Sequence, residues 1–334
     1  QPDISYVKNS AVNISKYLKK GSIVVLESTT YPGTTEELLL PILEEGAGLK
    51  CGEDFFLAYS PERVDPGNKL YKTKNTPKVV GGVGEDSTEI AAAMYSSVLE
   101  GCVHKVSSPK VAEMEKLLEN TYRNINIALA NEMTIICEKM GISVWEVIDA
   151  AKTKPYGFQA FYPGPGIGGH CIPLDPYYLA WKAREFDYHT KLIETSGIIN
   201  DSMPDYVVER ASKILNRFKK PLNGSNILIL GVAYKQDIDD IRQSPALKVI
   251  EGFEKKGSVV NYYDPYVASY DYKGKKRTSV EKLSKQELQN ADLVVITTAH
   301  TNIDYDFVQS NSKFIFDTKN AMKDVLKREN IELL

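Results

Sequence analysis

Val111-Ala112-Glu113-Met114-Glu115-Lys116-Leu117-Leu118-Glu119-Asn120-Thr121-Tyr122-Arg123-Asn124-Ile125-Asn126-Ile127-Ala128-Leu129 divides this chain into two different patterns. Val111, Met114, Leu117, Leu118, Tyr122, Ile125 and Leu129 recur at spacings of three and four, the period of a helix with one apolar stripe. The helical pattern runs from Pro109 to about Lys219. Before it, short apolar runs (Ile23 to Leu26, Phe55 to Tyr59, Lys78 to Gly81, Cys102 to Val106) alternate with the helical stretches Ile4 to Leu18, Thr34 to Glu44 and Ser87 to Val98. After it, strands are predicted at Asn226 to Gly231, Ser258 to Tyr263, Asp292 to Thr297 and Lys313 to Asp317. Strands alternating with helices predict parallel α/β sheets. The chain is therefore read as α/β in three parts, 1–107, 108–219 and 220–334, with Phe218-Lys219-Lys220-Pro221 as the linker before the last.

Composition narrows the function classes. A chain of 334 residues with 43% apolar residues buries a sizeable core and holds two or three domains. A net charge of -3 leaves no basic footprint for nucleic acid. No run of 18 apolar residues and no signal peptide are present, which predicts a soluble protein with no membrane partner. Cys51, Cys102, Cys137 and Cys171 lack CxxC or framework spacing, as suits a reducing cytoplasm. His104, His170, His189 and His300 are too scattered for a zinc site, so no metal is expected.

The candidate chemistry centres on Gly164-Pro165-Gly166-Ile167-Gly168-Gly169-His170-Cys171-Ile172-Pro173-Leu174-Asp175-Pro176. Glycines let the main chain pass close to a ligand and prolines limit the loop's freedom, so Cys171 is presented on a rigid surface, suited to attack on a small carbonyl. A lone cysteine is more often a small buried hydrophobe. Lys116 and Asn120, at i and i+4, share a helix face where an ammonium and an amide converge, although a solvated face is the plainer reading of such a pair. Glu62 follows a predicted strand, at the kind of strand end where α/β sites are built; a capping carboxylate is its plainer reading. Lys235, after the strand that ends at Gly231, is placed to meet a phosphate or sugar hydroxyls, and Arg242 lies seven residues on; two surface cations are the plainer alternative. The chain opens with Gln1-Pro2-Asp3, and its one G-x-G-x-x-G wording, Gly164 to Gly169, lies in the cysteine loop rather than between a first strand and its helix, where a dinucleotide pyrophosphate is held.

Four ordered blocks together resemble the UDP-sugar 6-dehydrogenases (the UDP-glucose/UDP-mannose group), which oxidise a sugar-nucleotide alcohol to a carboxylate with two NAD+. One is the Cys171 loop. The others are Glu27-Ser28-Thr29-Thr30-Tyr31-Pro32-Gly33-Thr34 with Ser60-Pro61-Glu62-Arg63; Glu113 to Glu132, containing Lys116-x-x-x-Asn120; and Tyr234-Lys235-Gln236-Asp237 with Arg242-Gln243-Ser244-Pro245. The resemblance implies two Rossmann-like parallel-sheet domains joined by a long-helix central dimerisation domain. The first would bind NAD and be truncated at its N-terminus, and the last would bind UDP. It implies Cys171 as nucleophile, Lys116 and Asn120 at the oxyanion, and Glu62 as base for thioester hydrolysis. Thr29 would hold a water or the nicotinamide side, and Asp175 would orient water or Lys116. Ser28, Thr29 and Arg242 are expected beside NAD, and Glu62, Arg63, Lys116, Asn120, Tyr162, Gly168 and Lys235 beside the substrate. With Leu174 where many UDP-glucose enzymes have lysine, and with His170 and Ile172-Pro173 around the cysteine, the chain resembles the branch acting on UDP-N-acetylhexosamines. UDP-N-acetylglucosamine is the first choice, with UDP-N-acetylmannosamine, UDP-N-acetylgalactosamine and UDP-glucose behind it. A homodimer serving cell-surface polysaccharide synthesis is expected, and a UDP-sugar-binding fragment without turnover is the alternative.

Overall fold

The computed structural model describes residues 3–65, 68–169 and 171–334, so His170 lies outside the described residues. In chain order the first elements are α1 (Ser5–Ser15), β1 (Ile23–Leu26), a π-helical segment Thr34–Leu39, α2 (Leu40–Ala47), β2 (Phe56–Tyr59), β3 (Lys78–Gly82), α3 (Glu85–Ser96) and β4 (Val103–Lys105). The helices α4 (Pro109–Met140), α5 (Val144–Ala151), α6 (Asp175–Arg184) and α7 (Lys191–Arg217) follow. The last part holds β5 (Asn226–Leu230), α8 (Pro245–Lys255), β6 (Val259–Tyr263), β7 (Ser269–Tyr272), β8 (Lys275–Thr278), α9 (Lys285–Asn290), β9 (Leu293–Ile296), α10 (Tyr305–Asn311), β10 (Ile315–Asp317) and β11 (Ile331–Leu333). Two compact units result: Gln1–Tyr122 with Leu174–Ile193, and Arg123–Pro173 with Glu194–Leu334.

In the first unit the sheet order is β1-β2-β3-β4. β1 and β2 are parallel, Ile23 facing Phe56 and Leu26 facing Tyr59, and β3 and β4 are parallel too. The junction between them, β2 with β3, is antiparallel. A parallel neighbour needs a crossover, usually a helix, and the described residues between Ser60 and Pro77 form neither helix nor strand. The stretch predicted as one helix from Thr34 divides at Pro41, which has no N–H for the helical ladder. Ahead of it the chain is π-helical, entered from Gly33 at φ 101°. Glu113, fully buried on α4, caps this segment: its carboxylate accepts from Gly33 N (2.6 Å), Thr35 N (2.9 Å) and Thr35 Oγ1 (2.7 Å).

The second unit is built on a fully parallel sheet, ordered β11-β10-β9-β5-β6. Side chains alternate across it, as the period of two requires. Ile227, Ile229, Leu293, Val295 and Phe316 enter one core with Val207, Ala211, Val249 and Phe253; Leu228, Leu230, Val294, Ile296 and Ile315 enter the other with Leu288 and Val308. The hairpin β7–β8 and the short β11 were not predicted. The hairpin turns at Lys273 (φ 50°) and Gly274 (φ 76°), a two-residue turn with both central residues left-handed.

The apolar stripe of α4 behaves unexpectedly. Leu117 is buried, but Val111, Met114, Leu118, Tyr122 and Leu129 are 43–65% exposed. The helix turns inward Ala112, Glu113, Lys116, Asn120, Asn124, Ala128 and Asn131 instead. No helix among the described residues is long and apolar enough to cross a membrane.

Candidate active site

In the first unit, α4 and the start of α6 create a buried polar cluster. Lys116 and Asn120, one helical turn apart, are 9% and 4% exposed, and Asp175, the first residue of α6, is 3% exposed. Asn120 Nδ2 donates to Asp175 Oδ2 at 2.6 Å. Burial pushes the Asp175 carboxyl up to about 6, although the Asn120 hydrogen bond and the Lys116 charge pull the other way. Asn120 and Asp175 thus meet, and the charge of Lys116, one helical turn from Asn120, acts on the same carboxyl. Under them lies Tyr59, at the end of β2. It is fully buried, and its hydroxyl has no hydrogen-bond partner among the described residues.

The cost of that burial is testable. An aspartate whose folded pKa lies above its ordinary value of 3.8 adds stability below about pH 4 that is lost as pH rises through 6. Asp175→Asn keeps a partner for Asn120 and removes the charge. It is expected to melt higher than the parent at about pH 7.5, the difference closing towards about pH 4. Equal or lower melting at the higher pH would contradict the buried-charge account.

Two loops at the carboxyl ends of β1 and β2 carry the remaining candidates of this unit. Ser28 is exposed and Thr29 half-buried. A cleft of about 270 Å³ beside β1 is walled by Val24, Leu26, Leu39 and Leu43 and ends at Glu27 and Ser28. An apolar wall ending in a hydroxyl, beside the carboxyl end of a parallel strand, fits a nicotinamide nucleotide. Glu62 is exposed, its carboxylate accepting the Val64 N–H at 2.7 Å. Arg63 does not face outward. Its Nη1 donates to Pro77 O at 3.0 Å, and its Nη2 meets Glu119 and lies 3.6 Å from Glu115.

In the second unit, asparagines of α4 hold both ends of the cysteine loop. Asn131 Oδ1 accepts from Gly164 N (3.0 Å), and Asn124 Nδ2 donates to Ile172 O (3.1 Å), next to Cys171. Both are tied to α7: Asn131 Nδ2 donates to Asn200 Oδ1 (2.9 Å), and Ser196 Oγ donates to Asn124 Oδ1 (2.9 Å). Between its ends the loop lies on the Tyr234–Pro245 segment. Gly169, at φ 90°, donates its N–H to Arg242 O at 3.1 Å, and a Cβ on Gly168 would lie 2.5 Å from Tyr234 Cβ and 3.1 Å from Gln243 O. Cys171 is exposed and outside any disulfide.

That fit makes Gly168 sensitive. Gly168→Ala forces backbone against a side-chain stem rather than a flexible tip, so a loss of about 1–3 kcal/mol is expected, read as a lower denaturation midpoint. An unchanged midpoint would mean the loop does not depend on this contact.

Lys235 is half-buried on the loop after β5, and Arg242 is exposed with its guanidinium forked onto Asp240 at 2.7–3.1 Å. The β5 loop is braced by residues that sequence reasoning missed. Asp264 Oδ2 accepts from Val232 N (2.7 Å) and Ala233 N (3.1 Å). Asp237 N donates to Nδ1 of the buried His300 (3.0 Å), so His300 carries its proton on Nε2 and donates it to Asp264 at 3.1 Å. Tyr162 is tied to α5: its hydroxyl donates to Asp149 (3.2 Å), and its ring stacks on Trp145 at 5.9 Å. Asn124 and Asn131 were also missed, though with Asn120 they recur on α4 at spacings of four and seven. Among the described residues, no group of three His, Cys, Asp or Glu could hold a metal ion. Thr29, Glu62, Lys116, Asn120 and Asp175 belong to the first unit, and Tyr162, Gly168, Cys171, Lys235 and Arg242 to the second.

Comparison with known proteins adds three stretches of family similarity. Profiles of the UDP-glucose/GDP-mannose dehydrogenase family match residues 1–99 (NAD binding domain), 110–202 (central domain) and 228–324 (UDP binding domain). UDP-N-acetyl-D-glucosamine 6-dehydrogenase of Pseudomonas aeruginosa is 40% identical over 271 residues, which is 81% of this chain but 64% of that protein. UDP-N-acetyl-D-mannosamine dehydrogenase of Methanocaldococcus jannaschii is 37% identical over 96% of this chain and 71% of its own. Among solved structures, UDP-D-ManNAc dehydrogenase from Pyrococcus horikoshii superposes with a TM-score of 0.89 at 33% identity, covering 100% of this chain and 77% of that one.

Proposed function

Because the chain belongs to the UDP-glucose/GDP-mannose dehydrogenase family of NAD-dependent oxidoreductases, we propose that it oxidises the C6 alcohol of a UDP-N-acetylhexosamine to the uronic acid. UDP-N-acetylglucosamine is the preferred substrate and UDP-N-acetylmannosamine the runner-up; relatives named for each are similar to this chain. The observation that carries the reading is the buried Lys116–Asn120–Asp175 cluster, a cation, an amide and a carboxylate of raised pKa on rigid helices.

Two NAD+ in turn would each accept one of the two hydrides that leave C6, and Ser28, Thr29 and Arg242 are the residues that would hold the cofactor. Lys116 and Asn120 steady the oxygen as the alcohol loses its proton and becomes an aldehyde. The Cys171 sulfur then bonds to the aldehyde carbon, and its thiol proton passes to the oxygen, giving a thiohemiacetal. Loss of the second hydride and that proton leaves a thioester on Cys171. Glu62, exposed at the end of β2, takes a proton from water, whose oxygen displaces the sulfur. The carboxylate departs and the thiol is restored. Asp175 orients Lys116 or the water, and Tyr162, Gly168 and Lys235 serve the substrate side, Lys235 as a point charge for the diphosphate.

The test is NADH counted at 340 nm per sugar consumed, with UDP-N-acetylglucosamine, UDP-N-acetylmannosamine and UDP-glucose. About two NADH per N-acetyl sugar supports the reading; turnover of UDP-glucose alone overturns the substrate assignment. Lys235→Ala is expected to raise KM with kcat little changed, and an unchanged KM removes Lys235 from the substrate. A second reading, UDP-sugar binding without turnover, would appear as binding heat with no NADH.

A homodimer is part of the proposal. The exposed face of α4 (Val111, Met114, Leu118, Tyr122, Leu129) suits the same helix of a second copy better than water. Leu118→Glu is expected to convert a dimer to a monomer in sedimentation, and an undisturbed dimer would place the interface elsewhere. Cytoplasmic residence is proposed too, supported by four cysteines outside any disulfide.

A further inference from the structure

Arg63 directly follows Glu62, and both lie on the long connection between β2 and β3. Near its start, Ser60 is anchored by its N–H to Leu26 O (3.0 Å) and its hydroxyl to Val79 O (2.7 Å). The Glu62 carboxylate makes only a local bond, to Val64 N. The guanidinium of Arg63, by contrast, reaches two other elements: Pro77 O, just ahead of β3, and Glu115 and Glu119 on α4. The Arg63 side chain is 26% exposed and that of Glu115 25%, so the contact is shielded beyond an ordinary surface ion pair. Glu115 and Glu119 lie one helical turn apart and immediately precede Lys116 and Asn120. Burial, with Glu119 beside it, pushes Glu115 up to about 7 against the pull of Arg63 and Lys116, while Arg63 holds Glu119 below the usual carboxylate range despite its burial.

We propose that Arg63 is a positioning residue, whose planar fork ties the loop carrying Glu62 to the turn of α4 that carries Lys116 and Asn120. A guanidinium suits the task because it meets a carboxylate and a carbonyl from one rigid plane, which an ammonium does not. The base for hydrolysis and the oxyanion donors are thereby held to one register, and a shift of about 1 Å between such groups is enough to cost on the order of a hundredfold in rate. The kinetic consequence rests on the function proposed above, while the clamp itself does not.

The test compares Arg63→Ala, Arg63→Lys and Glu119→Gln in the whole chain. Hydrogen–deuterium exchange of the 60–65 segment is expected to speed up about tenfold or more in both Arg63→Ala and Glu119→Gln, with the β5–β6 core unchanged. Unchanged exchange in that segment overturns the clamp, whether or not the chain turns over a UDP-sugar. Where turnover is measured, both variants are expected to lose about ten- to a hundredfold in kcat at nearly constant KM, with Arg63→Lys recovering part of it. A raised KM in Arg63→Ala with Glu119→Gln behaving as the parent would mean that Arg63 contacts substrate directly, and would likewise overturn the proposal. Absence of turnover in the parent defeats only the proposed function and leaves the exchange result to decide.

Discussion

Cys171→Ala is expected to end uronate formation, a fall of about a thousandfold or more, while UDP-sugar binding survives. The expectation follows from what holds the loop in place. Gly164 and Ile172 are bonded to Asn131 and Asn124, Gly169 to Arg242 O, and Gly168 is seated on Tyr234 and Gln243. Those are backbone contacts, and replacing an exposed thiol by a methyl disturbs none of them. The first oxidation needs no sulfur, so the variant is expected to release traces of aldehyde instead of acid. Cys171→Ser is no rescue, because a hydroxyl is a far weaker nucleophile than a thiol. Loss of UDP binding or a large fall in melting temperature in Cys171→Ala would instead make the cysteine structural, and calorimetry beside the activity assay separates the two.

Lys116→Ala is the second large effect, expected to slow turnover about a hundredfold or more, the usual worth of one oxyanion donor. Its surroundings add a signature. The Lys116 charge is one of two influences pulling the Asp175 carboxyl down against burial. Without it Asp175 takes up a proton at higher pH, so the residual rate is expected to gain an upward-shifted dependence on pH. Lys116→Met, which keeps the stem and loses the charge, is expected to behave the same way. Parental turnover in either variant would remove Lys116 from the chemistry, and a lowered rate with an unshifted pH profile would separate it from Asp175.

How far the sequence reached depended on how local the deciding contact was. The α4 helix and the strands of the second sheet were legible because their apolar residues repeat at 3.6 or come in short runs between turns. Lys116 and Asn120 were legible as a pair for the same reason. The π-helical turn at Thr34 was not, because its cap is Glu113, far along the chain. The antiparallel step between β2 and β3 was hidden in a long connection without a crossover helix, and β7–β8 in a charged stretch whose alternating Tyr270 and Tyr272 are its only apolar signal. Within the site, the ties of Arg63 to Glu115 and Glu119 were not legible, because those carboxylates approach it only in the folded chain. Asp264 and His300 likewise brace the Lys235 loop from β6 and from the end of β9, separations no motif spans.

The most direct test of the covalent chemistry is the mass of the Cys171 peptide after a rapid acid quench of the protein with NAD+ and UDP-N-acetylglucosamine. The account predicts a uronyl group joined to Cys171, accumulating further in Glu62→Gln, where hydrolysis is slowed, and absent from Cys171→Ala. Uronate formed with Cys171 unmodified at every time point, or formed by Cys171→Ala at the parental rate, would contradict it.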